Sequence, residues 1–231
     1  WRAFSKGVWH ISVLIEWWRA YVTALPEWEP HTYEGYRPVP VDITAFWRPK
    51  LKHCPSQHYH PTAGRALPAV IIGMIGDVGH IGDQRLALPR NLMRVQRRAS
   101  DEATLQMDLL RQVARQLTDT EVGIFDAGFK LKHIQQAELK NYLARQPRNF
   151  TAHRNEPAEY KGRGRYPIYG EKVRPLPRTY NGREIAATEP DEETHWQDGE
   201  HSISVKIWRD LVRPGVVPDP KAQTFDVYVI T

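Results

Sequence analysis

The sequence predicts an α/β protein, a mixed sheet flanked by helices with a basic, β-rich insertion late in the chain, and three observations carry that reading. Short strand-type apolar runs, the alternating Val39, Val41 and Ile43 and the covered-strand run Val122, Ile124 and Phe125, precede and follow a helical stripe of Leu105, Leu109, Val113 and Leu117. One such run ends directly in a carboxylate, in Glu121-Val-Gly-Ile-Phe-Asp126-Ala-Gly-Phe129. Beyond Arg145 the composition changes: residues 145 to 183 hold ten Lys and Arg against three acids.

The chain of 231 residues is long enough for one large domain, or one domain with an insertion, and its 41% hydrophobic content is that of a protein with a proper core. The formal charge of +5 leans toward a polyanionic partner. A single cysteine, Cys54, excludes an internal disulfide and a multi-thiolate zinc site, which fits a reducing cytoplasm. The stretch from Val8 to Leu25 is interrupted by His10, Glu16 and Arg19, so it is neither a signal core nor a membrane span. The chain starts at Trp1 and stops at Thr231 within a strand pattern, as a fragment of a longer protein would.

Taken in order, Ile11, Leu14, Ile15, Trp18 and Val22 share one helical face over residues 9 to 25, and Pro26 and Pro30 end it. A polar linker runs to Tyr36 and closes an N-terminal segment of residues 1–36. In Arg37-Pro-Val-Pro-Val-Asp42-Ile-Thr-Ala-Phe-Trp47 the alternation predicts a strand whose Asp42 faces away from Val41. The run from His53 through Cys54, His58 and His60 reads as a polar surface loop, because zinc sites draw their ligands from paired, separated elements. Leu67 to Gly76 predicts an apolar strand, returning as Ile81 to Leu88 through a turn at Gly76-Asp-Val-Gly-His80. No G-x-G-x-x-G stands between a strand and a helix and no Walker lysine is present, so dinucleotide and P-loop chemistry are disfavoured.

Ser100-Asp-Glu102 supplies a capping hydroxyl and two acids for a helix start. After the Asp126 strand, Lys130 to Lys140 predicts a more polar helix and Asn141 to Gln146 a further strand. In open α/β sheets, chemistry collects at the carboxyl ends of strands, which is where Asp126 stands. The order of three strands, helix, strand with Asp126, helix, strand matches the ribonuclease-H-like arrangement, with residues 37–149 as the first part of that core. Residues 150–223 are the β-rich insertion and residues 224–231 a strand re-entering the main sheet. Within the insertion, Tyr160-Lys-Gly-Arg-Gly-Arg-Tyr-Pro-Ile-Tyr169 mixes cations, aromatics and glycine, which suits phosphate contact and base stacking. The nucleic-acid contacts expected from the basic run of residues 145 to 183 are Arg145, Arg148, Arg154, Lys161, Arg163, Arg165, Lys172 and Arg174.

Val41-Asp42-Ile-Thr on a first strand, a glycine-rich strand pair, a helix, then Phe125-Asp126-Ala-Gly-Phe129 and a basic insertion together resemble bacterial insertion-sequence transposases of the DDE type. The runs Tyr160-Lys-Gly-Arg-Gly-Arg165, Tyr169-Gly-Glu171 and Val173-Arg-Pro-Leu-Pro-Arg178 are similar to the stretch after the second Asp in some members, and the resemblance spans about residues 37 to 231. It implies metal-dependent cleavage and strand transfer of double-stranded DNA at transposon ends, by a homodimer, in the bacterial cytoplasm at the nucleoid and away from membranes. Asp42 and Asp126 match the first two catalytic, metal-binding positions of a two-metal Mg2+ (or Mn2+) site, and hard cations of this kind prefer carboxylate oxygens. Insertions of related transposases can place a Trp against a flipped base, a role for which Trp196 and Trp208 are the candidates, with Trp208, in an alternating strand, read as core packing and Trp196 kept for the base.

The third acid departs from the pattern. In the family a Glu comes next in Tyr-x2-Arg-x3-Glu; here Tyr142-Leu-Ala-Arg145, Tyr160-Lys-Gly-Arg163 and Tyr180-Asn-Gly-Arg183 have, at the Glu position, Asn149, Pro167 and Ala187. The Glu is therefore expected beyond Thr231, and the chain without it is expected to be inactive. The alternatives are a non-catalytic DNA-binding protein derived from a transposase and a metal-dependent nuclease of the same fold.

Overall fold

A computed structural model of the chain describes residues 10–50, 56–95, 102–157, 159–198, 200–215, 221 and 223–230. The chain divides into two compact units, residues 1–145 and 146–231.

The first unit is a mixed sheet with helices. Helix α1 (Ile11–Thr23) is followed by the short strand β1 (Trp28–Pro30), then β2 (Arg37–Trp47), β3 (Gln57–His60), β4 (Arg65–Ile81) and β5 (Gln84–Arg94). Helix α2 (Glu102–Gln116), β6 (Glu121–Phe125), α3 (Leu131–Gln136) and β7 (Tyr142–Ala144) complete it. Ile72 to Ile75 of β4 pair with β5 on one side, and Ile75 also pairs with Val41 of β2, so the central order is β5, β4, β2, β6, β7. The β5–β4 and β4–β2 pairings are antiparallel, whereas β2–β6 and β6–β7 are parallel.

Alternation decides which face is covered. Val39, Val41 and Ala45 of β2, Ala69, Ile71 and Ile75 of β4 and Phe125 of β6 are buried against Leu105, Leu109, Leu110 and Val113 of α2 and Ile134 of α3. The helix comes in close because β4 carries glycine at the contact: a Cβ on Gly73 would stand 2.3 Å from Leu109 Cδ1. The intervening β2 residues Asp42, Thr44 and Phe46 are exposed.

Several elements differ from the sequence expectation. The linker after α1 contains β1, whose Trp28, Glu29 and Pro30 pair with Ile81, His80 and Gly79. The β4–β5 turn lies at Gly82-Asp83, not at Gly76 to His80, because pairing continues past Gly76 through a register shift between Ile75 and Gly76. Gly82 supplies the positive φ (55°) that the turn needs. The expected surface loop holds a strand, β3, with His58 and His60 packed around Trp47 and His58 Nδ1 2.8 Å from Glu102 Oε2. His53, Cys54, Ser100 and Asp101 lie outside the described residues.

The named elements of the second unit, among the described residues, are all strands. Its main sheet has β12 (Glu192–Asp198), β13 (His201–Val212), β8 (Ala152–Arg154) and β9 (Lys172–Val173) in that order, with β14 (Phe225–Ile230) also on β13. The expected re-entry of β14 into the first sheet does not occur; it pairs antiparallel with β13 instead, Trp208 opposite Val227 and Ile207 opposite Tyr228. An alternating apolar run specifies a strand but not its partner, and the nearby β13 is the one it takes. Trp208 is buried in this unit's core with Val205, Leu211 and Val212, and its Nε1 donates to the Thr188 carbonyl at 3.2 Å. The hairpin β10 (Arg178–Tyr180) and β11 (Arg183–Ile185) turns at Asn181 and Gly182, with φ of 49° and 73°. Tyr180-Asn-Gly-Arg183 is therefore turn chemistry rather than part of a helical motif.

Candidate functional site

The parallel pairing of β2 with β6 sets the site. Its register runs from Arg37 opposite Glu121 to Val41 opposite Phe125, so Asp42 and Asp126 each stand one residue past the last β2–β6 pair, side by side where β6 ends and β2 runs on toward Trp47. Neighbouring strands lie about 4.8 Å apart, within the span of two carboxylates sharing an ion. The β6–β7 register continues the row: Ala144 faces Phe125, and the Arg145 amide donates to the Phe125 carbonyl at 3.0 Å, which brings Arg145 level with Asp126. All three residues are exposed, and neither aspartate has an ion pair among the described residues.

Local hydrogen bonds hold both acids. Asp42 Oδ1 accepts from the Ile43 amide at 2.8 Å, and Asp126 Oδ1 accepts from the Gly128 amide at 3.0 Å, the turn that a short acid followed by Ala127-Gly128 favours. A Cβ on Gly128 would approach Asp126 Oδ1 to 3.0 Å, so a larger residue would crowd the carboxylate.

Behind this turn stand two residues that no motif in the sequence signalled. Gln106 of α2 donates from Nε2 to the Gly128 carbonyl at 2.9 Å, and its Oε1 lies 2.7 Å from His133 Nδ1. Since the amide nitrogen must face the carbonyl, Oε1 faces the ring, and Nδ1 carries the proton. Burial, with Lys130 and Lys132 adding to it, pushes His133 below its ordinary value, so the ring is neutral at pH 7. Gln106 lies on the half-polar flank of the α2 stripe, where spacing alone marks nothing.

The opposite ends of the same strands carry a different arrangement. Glu121 is 2% exposed and accepts from Arg90 Nη2 at 2.5 Å, Arg90 Nη1 at 3.2 Å and the Thr118 amide at 3.1 Å, with Arg37 Nη2 at 3.0 Å. Arg90 also binds Asp77, which takes Arg19 at 2.6 Å. Burial pushes the Glu121 carboxyl up, but the Arg90 and Thr118 hydrogen bonds and the Arg90 and Arg37 charges outweigh it and hold it at about 2. Burial lowers Arg90 while Glu121 and Asp77 raise it further, leaving it above its ordinary value. The period-two spacing of Glu121, Gly123 and Phe125 was the signal that this acid lies on the covered face.

The residues expected to contact nucleic acid divide. Arg148, Lys161, Arg163, Arg165 and Lys172 are exposed, as is Trp196 at 57% on β12. Arg154 is half-buried and binds Asp191 at 2.5 Å, with Glu171 at 3.9 Å, so its charge serves the second unit's own structure. That hydrogen bond, aided by the Arg209 amide, holds the Asp191 carboxyl below its ordinary value against a smaller effect of burial. Arg174 is half-buried, its amide donating to Thr188 Oγ1 at 3.0 Å.

Among the described residues no three His, Cys, Asp or Glu side chains converge, so Asp42 and Asp126 form a pair and not a triad. No described helix is long and apolar enough to cross a membrane. No family model matches the chain, and no curated protein or solved structure matches it either.

Proposed function

We propose that the chain is the catalytic portion of a DDE-type DNA transposase, with a ribonuclease-H-like core that cuts and joins double-stranded DNA. The single observation that carries the reading is the register of β2 and β6, which sets Asp42 and Asp126 side by side just past the last parallel pair, exposed and without an ion pair among the described residues. The sheet order β5, β4, β2, β6, β7, antiparallel then parallel, supports the same core.

The donor chemistry fits a hard divalent cation, since both acids offer oxygen only and neither is in an ion pair among the described residues. Asp42 and Asp126 would hold Mg2+, which when bound supplies Lewis-acid stabilisation of phosphodiester oxygens and activation of water or a 3′-hydroxyl. Gly128 and Gln106 fix the Asp126 turn, and Arg145 offers a cation at the same edge for a phosphate.

The test is Mg2+-dependent cleavage and end joining of transposon-end DNA by the protein that carries this chain. Asp126→Ala and Asp42→Ala should each abolish product, a fall on the order of a thousandfold or more, while leaving the fold intact by circular dichroism. Cleavage at an unchanged rate in Asp126→Ala removes the assignment. The absence of a third converging acid among the described residues favours one second reading, a DNA-binding protein without catalysis. That reading expects salt-dependent DNA binding that both Ala variants retain, with no cleavage by the unmodified protein.

A further inference from the structure

The basic turn in the second unit has a construction that charge alone does not require. Lys161, Arg163 and Arg165 alternate with Gly162 and Gly164, whose φ values of 74° and 82° belong to glycine. These reversals bring Tyr160 against Tyr166, with ring centroids 4.8 Å apart and planes at 30°. The Tyr160 hydroxyl donates to the Gly164 carbonyl at 3.1 Å, which anchors the inner ring to the turn. Tyr166, the outer ring, is 68% exposed, and neighbouring Ile168 is 48% exposed. Lys161, Arg163 and Arg165 are exposed and have no ion pair or hydrogen bond from their side chains among the described residues.

Aromatic pairs elsewhere in the unit are part of its packing: Phe150 is 8% exposed and meets Phe225 with centroids 6.1 Å apart. The tyrosine pair instead stands in water, one ring fixed and the other open on its outer face. A base stacks on such a face through its own π surface, and exposed cations of the same turn can meet the phosphates that flank it. Bases inside a duplex already stack on each other and offer no free face, so the arrangement selects an unpaired strand.

We infer that the turn from Tyr160 to Tyr166 is a stacking site for an unpaired base of single-stranded DNA, with Tyr166 as the platform and Lys161, Arg163 and Arg165 on the adjoining phosphates. The inference rests on the nucleic-acid half of the proposed function and is independent of Asp42 and Asp126. It gives the second unit its own substrate class, the single strand exposed when an end is opened.

The test is fluorescence anisotropy of the purified chain with a labelled oligothymidylate of about a dozen nucleotides, an abasic strand of equal length, and a duplex of equal length. Tyr166→Ala should weaken oligothymidylate binding about tenfold or more, and Tyr166→Phe should restore it. The abasic strand should bind the unmodified protein and Tyr166→Ala alike. Arg163→Ala with Arg165→Ala should flatten the salt dependence for every ligand. If Tyr166→Ala binds oligothymidylate as the unmodified protein does, while salt-dependent binding persists, the stacking site is wrong and the DNA contact stands. If neither strand nor duplex binds at low salt, both fall. Because Tyr166 lies at the surface, its loss should not unfold the unit, and circular dichroism checks this.

Discussion

The two ends of β6 carry the same chemical group in opposite circumstances. Glu121 at the amino end is buried, ringed by Arg90, Arg37 and the Thr118 amide, and faces the helix-covered side of the sheet. Asp126 at the carboxyl end is exposed, and its carboxylate has only the Gly128 amide of its own turn as a partner within the described residues. A buried carboxylate needs compensation, because leaving it unpaired costs several kcal/mol, on the order of 3–5. An exposed one at a strand end needs none and can take a partner from outside. A saturated acid thus stabilises the sheet, whereas an unsaturated acid one strand-length away is the one available for chemistry.

The largest expected effect comes from uncoupling the buried end. Arg90→Leu leaves Glu121 and Asp77 without their shared cation and should cost about 3–5 kcal/mol in a urea unfolding experiment. A loss below about 1 kcal/mol would mean that the two ends tolerate change equally and would break the contrast. Next in size is the acid dependence. Glu121 sits at about 2 when folded, against about 4.5 when unfolded, so its contribution is fully present above pH 4.5 and is lost as pH falls through 2. The linked loss is on the order of 3 kcal/mol. In Glu121→Gln that part of the acid slope should vanish from the unfolding free energy measured against pH.

A smaller effect is expected behind Asp126. Gln106→Leu removes the donor to the Gly128 carbonyl and should cost about 1 kcal/mol, seen as faster hydrogen exchange at the Phe129 amide, which donates to the Asp126 carbonyl at 3.2 Å. Unchanged exchange there would show that the turn holds without Gln106. The smallest effect belongs to the exposed acid itself: Asp126→Asn should shift stability by no more than about 0.5 kcal/mol. A large loss at this position would give Asp126 a structural role and make the two ends alike.

The range of the interactions decides how much of the molecule is legible in its sequence. Asp42 can be read from the alternation of its strand and Asp126 from the strand and glycine turn around it, both local signals, and the parallel register then sets them side by side. The ring around Glu121 cannot, since Arg19, Arg37, Asp77 and Arg90 arrive from four separate elements and no spacing links them. β14 is recognisable as a strand from Val227, Val229 and Ile230, but its partner is a tertiary choice. The β4–β5 turn lies later than the sequence suggests because Gly76, the usual mark of a turn, is here paired with Pro89, and the register shift beside it leaves Arg90 of β5 as the extra residue. The tyrosine pair is visible in the sequence as composition only; its stacking depends on two positive-φ glycines.

The β2–β6 pairing has one more consequence, for the order in which the chain folds. The β4–β5 hairpin joins residues that are close in sequence, so the entropy lost in closing it is small. Val41 and Phe125 are instead far apart in sequence, with the hairpin and α2 between them, so closing their contact costs more chain entropy. The two aspartates are therefore expected to be brought level after the local hairpin, with the paired carboxylates assembled on a scaffold already in place.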